Sequence, residues 1–472
     1  MLHGKSSPTF WKELLLSFQV KSGRQVLEIK GGFVKMIFLG MLTLVAFVIS
    51  NATPTWALDL FEAYNKAKNY DPEYLSAYHA YRASLTLPKQ SIAKALPQIS
   101  GSYTISEYNF TSAPPTYQDY GAEHKTITMQ QSIFNVPLIM EIKQSKLSAS
   151  SGEMRFRNAE QNLMKRVADA YFDLLYAEAA FRVTKDEIKT YREQLEMVKR
   201  LFSAGEATLA DLNDAEARLS DAVYRGVEVE KNLHTKRREL ARLIGEEPSN
   251  VALLPEDLSL EELVPAGVDE WIEMAKENSP IIKFYSLQRD ASDYELKKQR
   301  AQRLPSLNAF SNYSSTNTRD YLKTPTISYV SVGLQVSMPI FTGGYISAKE
   351  AESKEKLAQA TKDYEKAVSD VSQSIVESFF GVKSSIAAVE SARSSVRASE
   401  IAVLSTRKGY QAGIRTFVDV LNAETNYYKA RLNLVKSLHE YVKYLVNLKF
   451  YAGLIKEEDV IKINGWLKKV GD

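Results

Sequence analysis

The sequence predicts an α+β membrane protein made of two copies of one unit, each joining a long antiparallel coiled-coil hairpin to a pair of barrel-type strands. Three features predict it. Residue identities recur at a constant spacing of 208 residues, a heptad seam runs from residue 167 to 202, and stretches such as "ISYVSVGLQVSM" alternate aliphatic with small or polar residues.

In chain order, the first element is a leader. Residues 35–57 give Lys35, an apolar run from Met36 to Ile49, and a polar stretch ending in Ala57. A positive flank, a short apolar core and a small residue at the end match a secretory signal cleaved near Ala57. The run falls short of the roughly 20 residues that a membrane span needs. A signal normally opens a chain, yet 34 residues precede Lys35, so the start is expected to be misassigned, with initiation at Val34 or Met36. Residues 1–57 hold six Lys or Arg against two Glu, and without them the net charge falls from +3 to −1. That balance gives no reason to expect nucleic acid as a partner.

The chain has no cysteine, which excludes disulfides, a thiolate nucleophile, thiolate metal sites and an acylated N-terminal cysteine. Its five histidines are scattered without ligand spacing, and no nucleotide-binding or hydrolase motif is present. The sequence therefore predicts no enzyme, no catalytic residues, no cofactor and no metal site.

The first repeat is expected over 58–250. Its pattern is helical to about 94, then polar, Tyr-rich and alternating from about 98 to 134, with "TSAPPTYQDYGAEH" as a polar loop between two strands. From about Leu138 to Ala204 a single helix of about 100 Å is expected at 1.5 Å per residue. Val167, Ala170, Leu174, Ala177, Phe181, Thr184, Ile188, Tyr191, Leu195, Val198 and Phe202 form its seam, with Thr184 the polar member. The helix turns at Ala204-Gly205 and returns to Gly245. Thr208 and Asp211 stand three apart at the start of the return helix, the spacing of a capping box.

An acidic linker, 251–265, leads to the second repeat, 266–458, and a tail, 459–472. Leu96-Pro97 recurs as Leu304-Pro305, Gly205 as Gly413, Asp211 as Asp419, Ala215-Glu216 as Ala423-Glu424 and Gly245 as Gly453. Thr416 and Asp419 repeat the cap. Two strands are expected over about 306–341, with Val330, Val332, Leu334, Val336 and Met338 on one face and Ser331, Gly333, Gln335 and Ser337 on the other. Tyrosines 103, 108, 117, 120, 313, 321 and 329 lie towards the strand ends, where membrane strands carry aromatic girdles. Four strands cannot close a barrel and open edges cannot face lipid, so the chain must supply a share of an oligomeric barrel.

With both repeats, "SMPIFTGGYISAKE" after the last strand and above all "GYQAGIRTFVDVLNAETNYYKA" at residues 409–430, the chain resembles the TolC family of outer-membrane channel proteins. The resemblance covers essentially all of 58–456. It implies a homotrimeric TolC-like channel with a shared 12-stranded barrel in outer-membrane lipid and a helical tunnel across the periplasm. It also implies docking, through a periplasmic adaptor (a membrane fusion protein), onto an inner-membrane RND or ABC transporter, for drug efflux or type I protein secretion.

Carried over by matching positions, the resemblance implies a periplasmic gate in which Tyr410 and Arg415 bond Asp211 and Gln194. It places Asp419 in an acidic ring around the lumen. The family's second lumen acid is here Asn422, so a single ring is expected. The tips Ala204, Gly205, Glu206, Ala412, Gly413 and Ile414 resemble the turns that contact the adaptor. From the residues alone, Asp211 and Asp419 can equally be helix caps, Tyr410 a seam aromatic like Phe202, and Arg415 a solvated charge. The competing whole-chain reading is a periplasmic coiled-coil scaffold without a pore, which has no use for an aliphatic strand face.

Overall fold

The computed structural model describes residues 58–112, 119–248, 250–319 and 324–467. The expected leader and signal, 1–57, the tyrosines at 117 and 321, and the last residues of the expected tail, 468–472, lie outside them.

Three short helices come first, α1 (Leu60–Tyr70), α2 (Pro72–Ser84) and α3 (Leu87–Ala93). Asp71 joins the first two: its carboxylate accepts the Tyr74 N–H at 2.9 Å, Pro72 fills the first turn where no amide is needed, and Arg166 holds the same buried carboxylate at 2.6 Å. Then come β1 (Gln98–Tyr108), β2 (Tyr120–Phe134), the 68-residue α4 (Val136–Ser203) and α5 (Leu209–Ile244). The second half follows with α6 (Val268–Asn278), α7 (Pro280–Ala301), β3 (Ser306–Arg319), β4 (Ile327–Ser337), the 67-residue α8 (Tyr345–Gln411), α9 (Phe417–Tyr451) and α10 (Glu457–Asn464). β4 stops at Ser337, because Pro339 has no N–H for the ladder; Met338, expected on the strand face, lies just beyond it.

α4 is the spine. Its strand-proximal part packs on α7, α2 and α3, and its distal part on α5 and α9. The expected seam is buried or half-buried from Val167 to Val198, Thr184 included. Burial spreads to Ala168, Tyr171, Phe172 and Leu175, since a helix gripped from several sides buries more than the narrow stripe of a two-stranded coil. Phe202 departs from the expected seam: it is 41% exposed, because the helix ends one residue later and no facing helix remains to cover it.

The main core gathers α1, α4, α5, α6, α8, α9 and the segment after α5. Residues 457–467, which straddle the end of the expected second repeat and the expected tail, close this core: Val460 and Ile463 are buried, Asn464 accepts the Leu60 N–H at 2.9 Å, and Glu457 accepts from Tyr64 and Lys68. The deeply buried Tyr171 donates its hydroxyl to the Leu58 carbonyl at 2.9 Å.

The four strands form one antiparallel sheet in the order β1-β2-β3-β4, so β2 and β3 join the two halves. Its rows separate two chemistries. One row reads Ile99, Met129, Ser311, Val332 and the next on that face Gly101, Ile127, Tyr313, Val330; the opposite face reads Ser100, Thr128, Asn312, Ser331. Val330, Val332, Leu334 and Val336 are at least 66% exposed in the single chain, an aliphatic surface left uncovered by the other described residues. On the polar face Thr128 donates to Asn312 at 3.1 Å. Both edge strands, β1 and β4, are open. Among the described residues no helix is long and apolar enough to cross a membrane.

Candidate functional site

The two hairpin tips are built alike. α4 ends in Ala204-Gly205-Glu206, where the Glu206 N–H reaches the Leu201 carbonyl at 2.8 Å and the Gly205 N–H the Phe202 carbonyl at 3.0 Å. α8 ends with the same pair of bonds, Ile414 to Gly409 at 2.8 Å and Gly413 to Tyr410 at 2.9 Å. These are Schellman turns, which need a left-handed residue, and the glycines supply φ of 76° and 73°. Ile414 stands at the apex, 80% exposed.

Each return helix opens with a reciprocal cap. The Asp211 N–H donates to the Thr208 hydroxyl at 3.1 Å while its carboxylate accepts the Thr208 N–H at 3.0 Å; Asp419 and Thr416 do the same at 3.2 and 2.9 Å. The Thr416 N–H, then its hydroxyl and Arg415, hold the Asp419 carboxyl below the usual range.

The four expected gate residues lie in one region, but no hydrogen bond joins Tyr410 or Arg415 to Asp211 or Gln194 among the described residues of this subunit. Tyr410 packs in a small apolar core with Ala207, Leu212 and Phe417, its ring 5.8 Å from that of Phe417. Burial, and then the nearby Asp211 charge, raise the Tyr410 phenol pKa. The Arg415 side chain lies along Gly409, where an added Cβ would come within 2.8 Å of its Cγ. Gln194 instead donates to Glu424.

Glu424 is the residue that sequence reasoning missed. Its side chain is 1% exposed, and besides Gln194 it accepts from Arg407 Nε at 2.9 Å and Nη2 at 2.6 Å. Burial pushes its pKa up against the pull of Arg407 and Gln194. It belongs to a polar seam between α4 and α9: Tyr191 bonds Thr425 at 2.9 Å, Thr190 bonds Tyr428 at 2.7 Å, and Arg431 bonds Asp186 at 3.3 Å. Beside it, Arg218 of α5 donates to the Asn422 side-chain oxygen at 2.9 Å. The signal was present in the sequence: Glu424 occupies the apolar stripe Phe417, Leu421, Tyr428, a charge where a hydrophobe is due, whereas Glu216 falls beside its own stripe and is exposed. Among the described residues no group of carboxylates and histidines could hold a metal ion.

A sequence-family model described as "Outer membrane efflux protein" matches residues 63–246 and 271–454. The alkaline protease secretion protein AprF of Pseudomonas aeruginosa is 27% identical over 425 residues, covering 88% of this chain and 88% of that protein. The outer membrane protein TolC of Vibrio cholerae is 24% identical over 421 residues, covering 88% and 95%. Among solved structures, the CmeC outer membrane channel of Campylobacter jejuni superposes with a TM-score of 0.75 at 16% identity, over 86% of this chain and 89% of that one, and so shares its fold.

Proposed function

The chain belongs to the outer membrane efflux protein family, and from that premise we propose that it is the outer-membrane exit duct of a tripartite efflux pump or type I secretion system. Substrates would pass through it from an inner-membrane transporter, across the periplasm and the outer membrane. The observation that carries the reading is the sheet with an aliphatic face and a Ser/Thr/Asn face. Strands of 11 to 15 residues are long enough to cross the hydrocarbon layer with tilt. Two open edges cannot stand in lipid. A homotrimer closes them, turns Val330 to Val336 towards lipid and lines a wet lumen with Ser100, Thr128, Asn312 and Ser331. The long helices, each about 100 Å at 1.5 Å per residue, continue the duct as a periplasmic tunnel.

In this reading the closed end lies at the tips, where Asp419 rings the constriction, Gln194 links the two hairpins through Glu424, and Tyr410 and Arg415, which bond neither Asp211 nor Gln194 among the described residues of the subunit, would act across the subunit boundary. Ala204–Glu206 and Ala412–Ile414 meet a periplasmic adaptor and, through it, an RND or ABC transporter. The exposed Ile414 supports docking, since an isolated apolar apex is covered at little cost. Detergent-extracted protein in planar bilayers is expected to give discrete conductance steps, and native mass measurement to give a trimer. Recovery as a monomer from soluble periplasm, without detergent, would leave the aliphatic face unexplained and sink the proposal.

A further inference from the structure

Where the strands hand over to the long helices, the chain places an isoleucine-phenylalanine pair twice: Ile133-Phe134 before α4 and Ile340-Phe341 before α8. Simple alternation would put Phe134 on the polar face, two residues after Ser132. The register shifts between Ser132 and Phe134, and Phe134 stands opposite Leu307, which stands opposite Val336 on the aliphatic face. A bulge re-aims a side chain in this way. Ile133 and Phe134 are exposed, and Ile340 and Phe341, at 97% and 89%, are the most exposed large apolar side chains among the described residues.

The charges of the sheet mark the other end of this face. Glu107, Glu123, Lys125 and Arg319 all stand on it and all lie towards the two hairpin turns; beyond the Lys125 row no charged side chain interrupts it down to Phe134. From Lys125 to Phe134 β2 runs about 31 Å at 3.4 Å per residue, a rise of about 23 Å at a strand tilt near 40°, close to the roughly 25 Å of an outer-membrane apolar band. The two pairs thus fall where that band ends, and the next charges along the chain are Glu141 and Lys349. The described strand tyrosines lie from mid-sheet to the hairpin turns, so none marks this end. A neighbouring copy would join at the β1 and β4 edges, whereas β2, which carries Ile133-Phe134, has strands of its own chain on both sides. We propose that the two Ile-Phe pairs are the inner girdle of the assembled barrel, and that their partner is the acyl-chain layer of the inner leaflet just below the phospholipid headgroups. Phenyl rings without a polar tip fit that depth, while tyrosine seeks the wet boundary. This rests on the reading that the aliphatic face meets lipid.

The chain has no cysteine, so Phe134→Cys, Ile340→Cys and Phe341→Cys each create one labelling site, with Val332→Cys as the lipid control and Ser331→Cys as the lumen control. Nitroxide-labelled trimers in phosphatidylcholine vesicles are read by electron paramagnetic resonance against oxygen, which collects among acyl chains, and a water-soluble nickel chelate. The three rim labels are expected to favour oxygen over nickel several-fold more than Ser331→Cys does, and less than Val332→Cys, as a shallower depth requires. Ile340 is almost wholly exposed in the subunit, so its replacement reports even if a ring proves necessary for assembly. Rim labels open to nickel, with Val332→Cys in lipid, overturn the girdle and leave the lipid face standing. Rim labels closed to both reagents reveal a protein cover, a second copy or an adaptor, and overturn it too. A Val332→Cys label open to nickel removes the lipid face itself, and with it the premise.

Discussion

The buried Glu424 makes a quantitative prediction. Replacing Arg407 by Ala deletes both guanidinium bonds and leaves a carboxylate that is 1% exposed with Gln194 alone. A buried charge stripped of its partner is strongly destabilising, but the protein has an escape, which is to protonate Glu424. For a carboxyl of ordinary pKa 4.5, binding a proton at pH 7 costs about 3.4 kcal/mol, and at pH 5 about 0.7 kcal/mol. That escape caps the damage. Arg407→Ala is therefore expected to weaken the α4–α9 seam by about 2–3 kcal/mol at pH 7 and by under about 1 kcal/mol at pH 5. Arg407 itself is half-exposed and can stay hydrated without its partner. The double variant Arg407→Ala/Glu424→Gln, which removes the charge, should therefore be less damaged at pH 7 than Arg407→Ala alone. Amide hydrogen exchange of α9 around residues 421–428, corrected for intrinsic rates, reads the local opening energy. Equal losses at both pH values, or a double variant worse than the single one, would refute the account of Glu424 as an unpaired buried charge.

Three further outcomes follow from the same geometry. Thr416→Ala removes one half of a reciprocal cap and should cost about 1 kcal/mol in exchange protection of the first turn of α9. The Asp419 side of that cap has a lowered folded-state pKa, so its contribution is present above the ordinary carboxyl value and is lost as pH falls through the lowered one. On the sheet, Val332→Lys should cost about 2–4 kcal/mol and reduce the assembled trimer recovered from outer membranes, whereas Ser331→Lys, on the opposite face, should assemble normally. His439 is buried, its Nδ1 on the Val435 carbonyl, and burial lowers its pKa from 6.5 to about 4. The folded state thus binds fewer protons than the unfolded one between these values, and stability falls on acidification from pH 6.5 towards pH 4, by about 3 kcal/mol at the end of the range. Apparent melting temperatures at pH 7 and pH 4.5 should differ less in His439→Gln than in wild type; equal differences would exclude His439 as the acid-sensitive group.

Local pattern made some features legible and pairing hid others. The seam from Val167 to Val198 and the alternation of Val330 to Val336 are periodic, and periodicity depends only on which side of one element is covered. The end of the seam at Phe202 and of β4 at Ser337 depend on what stops facing the chain there. The pairing of β2 with β3, which ties the two halves into one sheet, is a long-range choice that no spacing within either half encodes. At the candidate site the caps at Thr208 and Thr416 are local and were readable. The partner of Gln194 is 230 residues away and was not. Its position on α4 fixes a face, while the acid that meets it is chosen by how α9 lies across α4.

The repeat sharpens this point, because equivalent positions 208 residues apart do not carry equivalent bonds. The α4–α9 seam pairs Asp186, Thr190, Tyr191 and Gln194 with Arg431, Tyr428, Thr425 and Glu424. The counterparts of the first set are Ser394, Ala398, Ser399 and Ala402; those of the second are Val223, Ser220, Ala217 and Glu216. Six small residues, one valine and a Glu216 whose counterpart donor is Ala402 cannot rebuild that network, so the contact of α4 with α9 has no chemical twin in a contact of α8 with α5. Duplication supplied two hairpins with the same turn and the same cap, and divergence then gave them unlike flanks. Identical flanks would let either hairpin dock in the other's place, whereas a partner lacking Gln194 would leave one oxygen of the buried Glu424 carboxylate without its donor, with only Arg407 still bound to the other. The α4–α9 seam therefore makes the two hairpins of the chain chemically distinct despite their shared turns and caps.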